Sequence, residues 1–277
     1  MKMNELEISG KSIKEFVQTK EYKRFQEFAN SVAEYKYIGI CHGEAGVGKS
    51  LAAVFYTKWD EKIGDEKIVD GITEEIKNKI KGCKGVMITA PVSNTPKIIN
   101  QSIRHNISGF GYAHNKSMGE EDFIKILQDA DRHCPLVIID EADRLNINSL
   151  EAVRDIYDRI QFGLIFIGMP GIEKRFSRYP QLYSRLGFSH EFKNLTEDEM
   201  RFLFPKIWKT LGFEYNSDHY PDIEAMNTIL RITAGNFRLI DRLFSQIKRI
   251  LKINKLDRIT KEVVEAARRC LIIGDSE

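Results

Sequence analysis

The chain has 277 residues, 42% hydrophobic and 30% charged, enough for one large domain or two modest ones with a real core. Its 42 Lys/Arg against 40 Asp/Glu leave a net charge of +2, which excludes a polycation, so any attraction to nucleic acid must come from local clustering. The four cysteines (Cys41, Cys83, Cys134, Cys270) form no metal-binding spacing, no apolar run reaches a membrane-spanning ~18 residues, and MKMNELEISGKS carries no apolar signal region; a cytoplasmic protein is expected.

Residues 11–34 place Ile13, Phe16, Val17, Phe25, Phe28 and Val32 at helical spacing, which predicts a helical arm, 1–34. Strands and helices then alternate. YKYIGIC (35–41) is a short apolar strand, followed by a glycine-rich loop and the helical SLAAVFYTKWD. Residues 60–84 are charged and read as an insertion. GVMITA (85–90) is a second strand, and PVSNTPKIINQSIRHNI passes from loop into helix. An amphipathic helix (120–133) leads to CPLVIID (134–140), a strand apolar enough to be buried on both faces. The helix SLEAVRDIYDRI (149–160), the strand GLIFIG (163–168), a helical piece around 171–183 and the strand GFSHEF (187–192) complete the series. Such alternation predicts an α/β domain, 35–192, with a parallel sheet flanked by helices.

The pattern changes at 193. TEDEMRFLFPKIWKTL opens with a capping box, Thr196 and Glu199, and helical stretches follow at 222–234, 236–253 and 260–272. Residues 193–277 therefore read as an all-helical domain.

The stretch GEAGVGKS (43–50) fits GxxxxGK[ST] between a strand and a helix. Gly43, Gly46 and Gly48 let the backbone approach a polyphosphate closely. The N–H groups of the loop, from Gly43 through Glu44, Ala45, Gly46, Val47, Gly48 and Lys49 to Ser50 and Leu51, face an anion at a helix N-terminus. Lys49 reaches the β/γ-phosphates and Ser50 offers a hydroxyl to Mg²⁺. LVIIDEADRL (136–145) supplies the other half. Asp140 at the strand end can hold Mg²⁺ through water, and Glu141 can orient and deprotonate the attacking water. Together the two motifs predict an enzyme that binds a nucleoside triphosphate with Mg²⁺ and cleaves it; the resemblance below implies ATP.

Two arginine motifs narrow the class. In GNFR (235–238), Arg238 opens a helix of the tail domain, where it can sense the γ-phosphate from a lid. In SRL (184–186), Arg185 precedes the last strand, where it can reach a neighbouring subunit's nucleotide as an arginine finger. Arg175 and Arg178 compete for that role, and a surface ion pair is the plain alternative for each.

GEAGVGKS, LVIIDEADRL, SRL before the last strand and GNFR in a helical lid resemble the AAA+ ATPases, over roughly residues 20–270. Within them, DEADRL, VRDIYD and the strand ending IGMPGIEKRF are most similar to transposition regulators of the MuB, TniB and TnsC group. The resemblance implies an ATP-dependent homo-oligomer, ring or filament, that coats duplex DNA, selects the insertion target and recruits a transposase. ATP hydrolysis then disassembles it. It also implies Lys49 and Ser50 on phosphate and Mg²⁺, Asp140 and Glu141 as the second acidic motif, Arg185 as finger and Arg238 as lid sensor. One departure is plain: Met169 stands where the family places a polar residue that positions water, which suits a slow, switch-like ATPase.

For duplex DNA two regions offer cations. TPKIINQSIRHN (95–106) carries Lys97, Arg104 and His105, and the resemblance places the equivalent region at a central channel. Between Gly235 and Cys270 there are ten Lys/Arg against four Asp/Glu. Neither region offers base-reading chemistry, so sequence-independent binding is expected. A replication-type helicase loader shares every motif here, and a nucleotide-switched scaffold without DNA is the other alternative.

Overall fold

A computed structural model describes residues 18–59, 78, 80–119 and 133–271. Most of the 60–84 segment, the expected helix up to residue 132 and the start of the 11–34 helix lie outside the described residues. The elements run α1 (Lys20–Tyr35), β1 (Ile38–His42), α2 (Lys49–Thr57), β2 (Val86–Thr89), α3 (Pro96–Ser117), β3 (Leu136–Asp140), α4 (Ile147–Ile160) and β4 (Gly163–Gly168). They continue with α5 (Ile172–Phe176), α6 (Pro180–Tyr183), β5 (Leu186–Glu191), α7 (Glu197–Thr210), α8 (Tyr220–Thr233), α9 (Phe237–Asn254) and α10 (Lys261–Arg269). A short 3-10 turn, Ala142–Arg144, follows β3. The described residues form two compact units: those within 22–45 and 49–192, and those within 193–271 together with 46–48 and 18–21.

In the first unit five parallel strands take the order β2-β3-β4-β1-β5. Every residue of β3 and β4 is buried, as expected for central parallel strands covered on both faces. The edge strand β5 instead alternates between half-buried and exposed positions. Ile99, Ile103, Ile107 and Phe110 of α3 and Leu150, Val153 and Ile156 of α4 join the same apolar core as Val137, Ile139, Leu164 and Phe166. Each large aliphatic side chain buried this way contributes about 1.5–3 kcal/mol.

Two features differ from the sequence expectation. From Tyr22 onward α1 is no arm: Phe25, Ala29 and Val32 are buried, Phe25 meets Tyr56 of α2 edge-on at 6.1 Å, and Phe28 stacks on His190 of β5 at 5.4 Å. A Cβ on Gly39 of β1 would lie 2.7 Å from Phe28 and Val32, so the strand needs glycine for the helix to approach. The second difference is length. Helix α3 runs on to Ser117, past Gly109 and Gly111. Each interior glycine costs about 0.5–1 kcal/mol against alanine, less than the burial of Phe110 between them and Ala113 beyond them returns.

The second unit contains α7 to α10. Thr196 and Glu199 form the expected capping box at the start of α7. Phe204 and Trp208 of α7 meet Phe244 of α9 edge-on at 5.5 and 5.8 Å, in a core with Ile229, Leu243, Ile247 and Val264. Gly235, with φ +77°, lets the chain turn from α8 into α9. A Cβ there would lie 2.1 Å from the Leu195 carbonyl oxygen.

Candidate functional site

Strand β4 lies between β1 and β3, so the glycine loop after β1 and the carboxylates after β3 flank the tip of β4. This is the crevice at the carboxyl ends of parallel strands where ligands of such sheets bind.

The loop is shaped by its glycines. A Cβ on Gly43 would lie 2.2 Å from the carbonyl oxygen of Phe192, the residue after β5. Gly46 and Gly48 have φ of +85° and +109°, left-handed values that let successive N–H groups curl inward. Lys49 opens α2, and its ammonium donates to the carbonyls of Gly43 at 2.5 Å and Glu44 at 2.8 Å. Burial pushes the Lys49 pKa below the ordinary lysine value. The fields of Cys41, Asp140, Asp143 and Glu141 act against that shift. Ser50 and Leu51 follow, exposed, in the first turn of α2, where the helix N-terminus favours an anion.

Asp140 ends β3 with 6% exposure. One oxygen accepts the N–H of Glu141 at 2.9 Å, and the other has no hydrogen bond among the described residues. A half-satisfied, buried carboxylate whose field reaches Lys49, the residue before Ser50, offers with the Ser50 hydroxyl the oxygen ligands a hard divalent cation prefers, so these residues fit Mg²⁺. Glu141 is exposed and takes φ 54°, ψ 37°, a left-handed conformation that costs a non-glycine residue roughly 1–2 kcal/mol. Its carboxylate lies 3.9 Å from Arg144. Arg144 in turn donates to the Ala90 carbonyl at 3.0 Å, and Asn94 donates to the Arg144 carbonyl at 2.8 Å. The turn after β3 is thereby tied to the loop after β2.

Sequence reasoning assigned no role to Asp143. Its Oδ2 accepts the N–H of Met169 at 2.7 Å, and a Cβ on Gly168 would lie 2.6 Å from the same oxygen. The polar side chain at the tip of β4 thus comes from the turn after β3, while Met169 is 40% exposed. The available signal was the fourth residue of DEAD. Arg175, a finger candidate, donates from its guanidinium to the carbonyls of Asp143 and Leu145 and braces this turn.

The other candidates lie elsewhere. Arg185 sits at the amino end of β5, where its carbonyl accepts the Ile38 N–H at 3.2 Å. That is the end of β1 opposite to the glycine loop. Its guanidinium pairs with both oxygens of Asp158, at 2.7 and 2.9 Å, and also donates to the Gln181 carbonyl. Arg178 is exposed. In the second compact unit, the Arg238 N–H donates to the Gly46 carbonyl at 3.1 Å. Asn236 caps α9 by accepting from Arg238 and Leu239, and the Arg238 side chain is exposed. Lys97 is exposed in the first turn of α3, and Arg104 donates to Asn100 at 2.9 Å one turn back.

A glycine loop with its lysine, a carboxylate pair on the strand two places away and this strand order define a P-loop ATPase of AAA+ architecture. Residues 32–176 match the family described as "AAA domain", and the chain belongs to that family. A Staphylococcus aureus protein, described as a "Potential ATP-binding protein", is 44% identical over 263 residues, 94% of this chain and 97% of that one. Among solved structures, the Thermotoga maritima RuvB Holliday junction branch migration motor is similar with a TM-score of 0.56 at 18% identity, over 95% of this chain and 72% of that one. The Aeropyrum pernix ORC1 protein in complex with DNA gives 0.55 at 18% identity, over 90% and 64%. At that identity the likeness is one of fold. The protein is an AAA-class ATPase that binds and hydrolyses ATP. Among the described residues no helix is long and apolar enough to cross a membrane.

Proposed function

We propose that this ATPase is a nucleotide-switched assembly protein of DNA transposition: it oligomerises on duplex DNA, marks an insertion target and engages a transposase, and ATP hydrolysis releases it. In this reading Lys49 and the first-turn N–H groups of α2 hold the β/γ-phosphates, and Glu141 takes the proton of the attacking water. Ser50 and Asp140 would hold Mg²⁺, which supplies charge neutralisation at the phosphates when bound. Arg238 senses nucleotide, and Lys97 and Arg104 contact the DNA backbone. The resemblance of DEADRL, VRDIYD and IGMPGIEKRF to transposition regulators supplies the biological assignment. The matched RuvB and ORC1 proteins, one a branch migration motor and one solved with DNA, are compatible with a nucleic-acid partner.

One observation carries the assembly. Arg185 stands at the amino end of the sheet, away from Lys49 and Asp140 at the carboxyl ends of the strands, which supports a role at a neighbour's nucleotide rather than at its own. A site that needs a second copy makes ATP the glue of an oligomer. Electron microscopy and sedimentation with a non-hydrolysable ATP analogue, with and without random-sequence duplex, test this. Rings or filaments that need the analogue and lengthen on duplex are expected. Particles that stay monomeric under all conditions sink the proposal.

A further inference from the structure

We infer that the outer face of α9 is a docking rail for the sugar-phosphate backbone of duplex DNA, an assignment that rests on the DNA reading above. Helix α9 buries Ile240, Leu243, Phe244, Ile247 and Leu251 on one side. On the opposite side Arg242, Lys248, Arg249 and Lys252 are all exposed. Positions 242, 245, 249 and 252 recur at the i, i+3/i+4 spacing that puts them on one stripe.

The four cations of the stripe have no carboxylate partner among the described residues. Elsewhere Arg154, Arg185, Arg201 and Arg231 each sit on a carboxylate. Among the described residues the single hydrogen bond or ion pair of these four cations is Arg249 to Gln246 at 3.4 Å. The one acid on the helix, Asp241, forms no ion pair with any of them among the described residues. Stacking like charges one turn apart destabilises a helix, so the arrangement suits an external anion that compensates them.

The helix geometry selects the anion. The ten residue steps from Arg242 to Lys252 span about 15 Å at 1.5 Å each. That length follows about four phosphates of one duplex strand at 3.4 Å each. A bilayer is a poorer partner, because amphipathic helices bind membranes with their apolar face. Here that face is the core of the helical unit, and exposed Ile253 alone does not replace it. Ser245 and Gln246 are the only neutral polar side chains along the stripe, so the contact carries charge and register without reading bases.

The test uses the full chain with ATP analogue and a fluorescent random-sequence duplex, titrated across salt concentrations. In Arg242→Ala/Arg249→Ala/Lys252→Ala the slope of log affinity against log salt should shrink by about 2–3, and affinity at 0.1 M salt should fall at least tenfold. Arg242→Lys/Arg249→Lys should keep the wild-type slope; DNA-free ATP turnover should stay unchanged in both, and the thermal midpoint should not fall in either, rising if anything in the triple variant as the like charges are removed. If the wild type binds duplex and the triple variant keeps its slope, the α9 assignment is overturned while the DNA reading stands. If the wild type ignores duplex, both fall. Binding to anionic phospholipid vesicles instead of duplex, lost in the triple variant, also overturns the assignment in favour of a membrane.

Discussion

Asp143 accepts the N–H of Met169 at 2.7 Å, joining the turn after β3 to the tip of β4. The turn that carries Glu141 and the tip of β4 are thereby clamped by one carboxylate. That carboxylate also lies near enough to Lys49 to favour its charged form. A hydrogen bond to a charged group contributes about 1.5–3 kcal/mol. Asp143→Ala should therefore lower ATP turnover about 10- to 100-fold, with ATP affinity changed far less. Asp143→Asn, which keeps an acceptor, should recover most of the rate. Steady-state hydrolysis and equilibrium nucleotide binding measure both. Normal turnover in the alanine variant would reduce the contact to packing.

The visibility of this site in the sequence was uneven, for physical reasons. GLIFIG is the strand Gly163–Gly168 to the residue, because a buried parallel strand between turns has few other readings. The glycine loop and Asp140–Glu141 were legible because phosphate binding constrains residue type at each position. Asp143 was not, since its role depends on β3 and β4 being neighbours, which no local pattern encodes. The full length of α3 was hidden by Gly109 and Gly111, whose local penalty is overridden by burial against the sheet. Likewise α1 looked like an arm because its amphipathic pattern does not say which surface covers it.

Glu141 stands in a left-handed conformation, directly after the buried Asp140. If its carboxylate is the base, Glu141→Gln should bind ATP with near-normal affinity and lose about 10²- to 10⁴-fold in turnover. Assemblies formed with ATP should then persist as they do with a non-hydrolysable analogue. Turnover at the wild-type rate would remove Glu141 from the mechanism.

Arg185 and Asp158 separate a finger from a structural ion pair. Both side chains are about a third exposed, at 32% and 31%, so the pair contributes less than about 1 kcal/mol to folding. Arg185→Ala and Asp158→Ala should therefore melt at similar temperatures. Only Arg185→Ala should lose ATP turnover, by about 10³-fold on the scale of trans arginines, while Asp158→Ala frees the guanidinium and keeps the rate. Mixing Arg185→Ala with Lys49→Ala subunits should restore hydrolysis at interfaces that join an intact loop to an intact Arg185. Equal losses in the Arg185 and Asp158 variants would favour the structural role.

Lys49 gives a pH dependence with a defined sign. Burial holds its folded pKa below 10.5, so between the lowered value and 10.5 the unfolded chain binds more protons than the folded one. Stability contributed by this group therefore rises as pH rises through that window. ATP binding runs the other way, because the phosphates need the ammonium charged. ATP affinity should begin to fall at a pH below 10.5, with proton uptake on binding in the same window. Isothermal titration calorimetry in buffers of different ionisation enthalpy measures that uptake directly. Lys49→Met should bind ATP weakly and lose this part of the proton uptake; unchanged uptake in that variant would place the titrating group elsewhere.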